Sequence, residues 1–206
     1  MKTYGVIKRV IDIVASVLAL VCFLPVSLII AMLIKIESSG PVLFRQQRIG
    51  KHKQPFTILK FRTMKADSPC DVPTHLLLHD IHKHTTRIGA FLRKTSLDEW
   101  PQFINILKGE MSLVGPRPAL WNQYDLILER ERCGVNDLVP GLTGWAQING
   151  RDTLSIAAKV GYDGEYLEKR SNLFDIKIMY FTIIKVIRRE GVGEDTGTHP
   201  GKGGFL

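Results

Sequence analysis

Ile13 to Ile34 is a run of about 22 uncharged, mostly apolar residues, long enough to cross a bilayer as one helix. Leu24-Pro25 sits near its middle. A proline removes one backbone hydrogen bond and crowds the preceding turn, so a bend is expected there. The turn Ser38-Ser39-Gly40-Pro41 ends this element. Val42 to Phe44 and Phe56 to Met64 then read as strands, the second with Ile58, Lys60 and Arg62 on one face and Leu59 and Phe61 on the other. Residues 65–85 are irregular. Arg87 to Lys108 has helical patterning with a break near Thr95-Ser96, and Pro140-Gly141-Leu142-Thr143-Gly144 reads as a loop or turn. Ile156 to Arg170 predicts a helix. Asp175 to Arg189 predicts an amphipathic one, with Ile176, Met179, Tyr180, Ile183 and Ile187 on a stripe and Lys177, Lys185, Arg188 and Arg189 off it. Such a stripe either packs on the core or lies in a membrane interface. The glycine-rich segment from Gly191 to Leu206 reads as a mobile tail.

Charge changes how the apolar run is read. Lys2, Lys8 and Arg9 precede it, and Arg45, Arg48, Lys51 and Lys53 follow it. Basic flanks favour the cytoplasmic side, and here both flanks are basic. A plain spanning helix satisfies one of them. A helix bent at Pro25 that enters and leaves one leaflet satisfies both. A signal peptide is disfavoured by the length of the run and the lack of a small-residue cleavage site. Asp12 opens the run, and its spacing from Lys8 lets the two pair on one helix face. Lys8, Arg9, Asp12 and Pro25 are thus the expected anchor residues.

The fold class expected is α+β. An N-terminal re-entrant membrane helix-break-helix (1–40) precedes a small, mostly helical cytoplasmic domain with short strands and interfacial amphipathic helices (41–190). The mobile tail (191–206) follows. The formal net charge of +8 suits an anionic partner such as a phosphorylated substrate or an anionic lipid surface. It does not by itself exclude nucleic acid, but the basic residues do not cluster with aromatics, and a membrane anchor fits nucleic-acid binding badly. Cys22, Cys70 and Cys133 are widely spaced, which argues against a disulfide framework or a zinc site. His75 and His79 have the i,i+4 spacing of metal ligands, yet only Asp80 joins them, so a solvated loop is the simpler reading.

The candidate chemistry lies in Thr95-Ser96-Leu97-Asp98-Glu99-Trp100-Pro101. Pro101 belongs in the first turn of a helix, and Ser96 with Glu99 fits a capping box. Capping alone would account for both acids. Neighbouring side chains on a helix diverge by about 100°, so the two carboxylates can also divide labour, one attacking and one holding a divalent cation. Oxygen ligands beside phosphate suit Mg²⁺. In Gly115-Pro116-Arg117-Pro118, prolines on both sides stiffen the mount of a guanidinium that fits phosphate oxygens. Arg151, in Asn149-Gly150-Arg151, offers a second such group on a tight turn. Structural ion pairs are the alternative for both arginines. Asp163 and Asp175 are weaker, supporting candidates, as are Lys60 and Arg62.

The stretches Lys94 to Gln102 and Asn105 to Pro118 closely resemble the bacterial sugar transferase family, the monotopic polyprenyl-phosphate phosphoglycosyltransferases. Lys8 to Asp12, Phe44 to Gly50, Lys60 to Met64, Pro140 to Trp145 and Asn149 to Arg151 match in the same order. The resemblance spans residues from about 8 to about 189 and looks like the family's minimal form, without extra membrane helices. Where the family has Ser-Pro at the membrane break, this chain has Leu24-Pro25. The resemblance implies a reaction in which a UDP-sugar and polyprenyl (undecaprenyl) phosphate give polyprenyl-diphosphate-sugar and UMP. This is a first membrane step of bacterial glycan assembly, at the cytoplasmic face of the inner membrane. It further implies that Asp98 is the nucleophile of a covalent aspartyl-phosphosugar intermediate, Glu99 the Mg²⁺ ligand, and Arg117 and Arg151 binders of phosphate or uridine diphosphate. The helix end and Mg²⁺ would both favour ionised Asp98. The lipid bilayer is a partner, nucleic acid is not, and a homodimer stays open. A nucleotide-sugar hydrolase and a non-enzymatic basic membrane adaptor are the competing readings. The sugar is not legible.

Overall fold

The apolar run folds into α1, Lys2–Glu37, a helix of 36 residues and therefore about 54 Å long at 1.5 Å per residue. The computed structural model of the chain describes residues 2–65, 68, 84–150 and 153–188. His75, His79, Asp80, His82, Cys70, Arg151 and the tail from 189 onward lie outside the described residues. Pro25 lies inside this helix, with helical residues on both sides of it. A proline deletes one hydrogen bond, while the turns around it keep theirs, and an apolar segment has every reason to satisfy its backbone internally.

One stripe of α1 faces the rest of the chain along its length. Asp12, Ser16, Ile30 and Ile34 are buried, and their spacing keeps them on one side of the helix. The opposite side, including Val10, Val14, Leu18, Val21, Leu28, Met32 and Ile36, is exposed. By length and composition α1 can cross a membrane. The expected Lys8–Asp12 pair does not form. Lys8 Nζ instead lies 2.7 Å from Asp175 Oδ2 and donates to the Val114 carbonyl at 2.9 Å. Asp12 accepts the Leu113 amide at 2.9 Å. Long-range partners displace the local pair because the stripe is buried, and each buried polar group needs a partner with good geometry.

The predicted strands form a hairpin, β1 (Leu43–Ile49) and β2 (Pro55–Phe61), in antiparallel register from Leu43 opposite Phe61 to Ile49 opposite Pro55. β1 extends five residues past the predicted Phe44 because its far end also pairs with β4 (Ala119–Leu120). Asn105 satisfies the outer edge of β2: its Oδ1 accepts the Leu59 amide at 3.1 Å and its Nδ2 donates to the Thr57 carbonyl at 2.8 Å.

The helical stretch breaks as expected into α2 (Arg87–Thr95), a 3₁₀ turn (Leu97–Glu99) and α3 (Gln102–Lys108). Glu37, at the end of α1, accepts the free amides of Arg87 and Ile88 at the start of α2, at 2.6 and 2.9 Å. Ile30, Ile34, Phe61 and Leu92 pack there into one cluster. At the other end of the same face, Arg9 donates to the Ile106 and Leu107 carbonyls that close α3, at 2.6 and 2.8 Å.

The Pro140–Gly144 stretch is a correction: Gly141–Thr143 forms β5, parallel to β3 (Ser112–Val114). Three residues are too few for a readable alternation. The pairing depends on glycine, since a Cβ on Gly141 would strike the Gly115 backbone. The chain between and beyond supplies α4 (Tyr124–Arg132), α5 (Trp145–Ile148), α6 (Ile156–Lys169) and α7 (Asn172–Arg188). The apolar stripe of α7 does not form the core. Ile176, Tyr180, Ile183 and Ile187 are exposed together with Leu173, while Ile178 and Asp175 are buried and Met179 packs inward.

Candidate active site

Asp98 and Glu99 occupy the 3₁₀ turn between α2 and α3. The capping box does not form. Ser96 has φ 57° and ψ 15° and ends α2, its amide bonding back to Arg93 and Leu92, with no side-chain cap. A serine held in the left-handed region carries a cost of order 1 kcal/mol. The tight turn aims the following acids into the hairpin rather than along a helix. Trp100 then docks on α1, its ring centroid 3.7 Å from that of Phe23. The acids therefore sit beside the middle of the apolar helix.

The two carboxylates meet different surroundings. Glu99 Oε1 receives Lys60 Nζ at 2.8 Å and both terminal nitrogens of Arg117 at 3.4 Å. Asp98 is 9% exposed and makes no hydrogen bond or ion pair with any described residue. Burial pushes its carboxyl above the usual range. The charge of Lys60 pulls it back most strongly, Glu99 raises it, and Arg93 and Arg117 lower it. The sequence expectation that the helix end and Mg²⁺ favour the ionised form meets an opposing effect, since burial disfavours that form and the surrounding cations offset the burial. Arg93, whose guanidinium burial lowers in basicity while Asp98 restores it, is steadied by a bond from Nε to Thr63 Oγ1 at 2.8 Å.

Arg117 stands on a rigid backbone. The Val114 carbonyl receives Lys8, the Pro116 carbonyl receives the Gly141 amide at 2.9 Å, and the Arg117 carbonyl receives Arg130 Nη1 at 2.8 Å. The Pro118 carbonyl receives Arg48 Nη1 at 3.1 Å. Four elements from distant parts of the chain hold this segment, so the backbone that carries the guanidinium is fixed before any ligand arrives.

The expected site residues do not all converge. Lys60, Asp98, Glu99 and Arg117 come together, joined by Arg93. Asp163 lies beneath them, 1% exposed, bonded through Oδ2 to Arg130 at 2.6 and 3.0 Å. Burial raises its carboxyl and Arg130 opposes that rise. Asp175 is elsewhere, holding Lys8, Tyr4 and Tyr166 where α1 meets α7. Arg62 does not join the acids, because its guanidinium donates to the Ser38 and Ser39 carbonyls after α1. Arg151 lies outside the described residues. Sequence reasoning missed Arg93 and Arg130. Arg93 sits one residue before the motif stretch and was legible by position. Arg130 lies in Glu129-Arg130-Glu131-Arg132, which reads as a solvated helix face.

The geometry brings two acids of different environment and three cations to one spot beside an apolar helix, a setting for an anionic, phosphate-bearing ligand. A family model described as bacterial sugar transferase matches residues 3–189. The chain is 38% identical over 187 residues to the uncharacterized sugar transferase EpsL of Bacillus subtilis (strain 168), covering 91% of this chain and 90% of that protein. It is 44% identical over 187 residues to UDP-glucose:undecaprenyl-phosphate glucose-1-phosphate transferase of Escherichia coli (strain K12), covering 87% of this chain and 40% of that longer protein. The exopolysaccharide production protein ExoY of Rhizobium meliloti (strain 1021) is 38% identical over 202 residues, which cover 91% of this chain and 88% of that protein. The match runs through every motif that carries the site, and the chain belongs to the bacterial sugar transferase family.

Proposed function

We propose that this protein transfers a sugar 1-phosphate from a UDP-sugar to polyprenyl phosphate, the class of acceptor named for the Escherichia coli relative. The observation that carries the reading is the buried Asp98 carboxylate, unpaired among the described residues yet ringed by the charges of Lys60, Arg93 and Arg117. A buried carboxylate left without a direct partner is costly. It is retained where it must react.

In the first step an oxygen of Asp98 bonds to the sugar-bearing phosphorus. The bond from that phosphorus to the UMP oxygen breaks, and UMP leaves with the electron pair. In the second step a phosphate oxygen of the lipid attacks the same phosphorus and expels the Asp98 carboxylate. Splitting the transfer in two lets the lipid bind at its own level in the membrane. The phosphorus is screened by negative oxygens, so lowering the barrier is chiefly a matter of fixed positive charge. Arg117 supplies it from its held backbone, Lys60 and Arg93 from the hairpin and α2.

Among the described residues no three His, Cys, Asp or Glu side chains gather as a metal cage. Mg²⁺ does not need one, since it takes one or two carboxylates and completes its shell with water and substrate phosphates. Glu99 fits that pattern and would hold it, where its chemistry is to offset phosphate charge.

Two sets of contacts support a re-entrant α1, and its basic flanks favour the cytoplasmic face of the membrane. Tyr4, Lys8, Arg9 and Asp12 bind the body at one end, and Ile30, Ile34 and Glu37 bind the same body at the other. A helix that crossed the bilayer would carry one of these sets to the far side. The exposed stripe of α7 adds a second apolar surface suited to the interface.

The test is UMP release from a panel of UDP-sugars with undecaprenyl phosphate and Mg²⁺. Release should require the lipid for turnover and stop with chelator. Without lipid, the intact mass should rise by one sugar phosphate, and Asp98→Asn should abolish that adduct. Sustained lipid-independent release would make the protein a hydrolase. For topology, single cysteines placed at residues 2 and 38 of a cysteine-free variant should both react from the same side.

A further inference from the structure

Arg130 is 5% exposed and lies in the middle of two contacts that differ in kind. Its Nε and Nη2 grip Asp163 Oδ2 at 3.0 and 2.6 Å, and its Nη1 donates to the backbone carbonyl of Arg117 at 2.8 Å. We infer that Arg130, oriented by Asp163, is a positioning residue that sets the direction of the Arg117 side chain toward the donor's diphosphate. The inference rests on the transferase reading of Arg117.

The argument is one of geometry. The carbonyl carbon of Arg117 is bonded to the same Cα that bears its side chain, so holding that carbonyl sets the direction of the Cα–Cβ bond from which the guanidinium extends. Pro116 and Pro118 lock their own φ angles, and Arg130 settles the torsion between them. The planar fork holds the carboxylate and the carbonyl through separate nitrogens in one rigid geometry, whereas an ammonium on a flexible stem fixes their relative position less tightly. A stabilising role explains the arrangement less well. A buried ion pair contributes little net stability after desolvation, and α4 already meets α6 through the apolar Leu126 and Val160 with Ala119.

Arg130→Lys keeps a cation for Asp163 and removes the fork. In the full-length protein in lipid nanodiscs, kcat/KM for UMP release should fall about tenfold, with a matching loss of affinity for UDP. In an Arg117→Lys background the same change should cost less than about twofold, because the group it aims is already altered. Asp163→Asn should repeat this pattern, and it replaces Arg130→Lys if that variant does not fold. Equal losses in both backgrounds, or unchanged turnover and UDP affinity in a folded variant, would overturn the inference. A folded wild-type protein that releases no UMP from any UDP-sugar would instead refute the transferase reading. UDP affinity would then still read the coupling between Arg130 and Arg117.

Discussion

Lys60 Nζ sits 2.8 Å from Glu99 Oε1, and that contact separates the fates of two adjacent acids. Glu99 is bound, whereas Asp98 feels Lys60 only through its field. Lys60→Met should therefore act twice, taking one cation from Glu99 and removing the strongest of the charges that hold Asp98 down. With fewer Asp98 side chains ionised at a given pH, the acidic limb of kcat/KM should move to higher pH. Turnover at neutral pH should drop on the order of a hundredfold. A pH–rate profile of the variant checks both; an unmoved limb would mean that Asp98 does not set it.

Asp98→Asn should abolish turnover and stabilise the fold. Burial raises the Asp98 carboxyl, so the folded state prefers it protonated. The stability it contributes is present at low pH and is lost as pH rises through the raised value. Asparagine mimics the neutral form at every pH. The gain should be about 1 kcal/mol near pH 7, roughly 3 °C in Tm, and should shrink as the pH is lowered. Melting curves across pH 4–8 test the sign.

Lys8 and Arg132 offer a contrast between buried and exposed pairs. Lys8→Met leaves Asp175 buried without its cation and should cost about 3 kcal/mol. The Arg132–Glu129 pair is exposed, so Arg132→Ala should lie within about 0.5 kcal/mol of the parent. Denaturant titration in detergent compares them. Equal costs would deny Lys8 a part in docking α1.

Ile176→Asp and Ile187→Asp test the outward stripe of α7. Both side chains are exposed, so Tm should hardly change. Binding to anionic vesicles should weaken by about 1–2 kcal/mol for each apolar side chain lost. A large fall in Tm with unchanged vesicle binding would return the stripe to a packing role.

Much of this was open to reading in the chain. The apolar run of α1, the two strands of the hairpin, the break at Ser96 and the helices that begin near 156 and 172 follow from local patterns of period and punctuation. Asp98, Glu99 and Arg117 stand out because prolines and a turn frame them. Arg130 did not, since a helix of alternating charge looks the same whether one arginine faces water or core. Arg62 misled for a related reason: a strand pattern gives the face of a side chain and not the element that will meet it.

Sequence by itself determined the apolar run, the hairpin strands, the flanking helices and the acids, because these depend on neighbours a few residues away. Tertiary structure decided which acid is paired, which arginines converge and which groups bind both ends of α1. Those outcomes depend on contacts between residues far apart in the chain, such as Lys60 with Glu99 and Lys8 with Asp175. Burial there sets both the partner and the charge state of each group. Asp98 is an acid in the sequence, and only its enclosure among cations it does not touch sets its charge state.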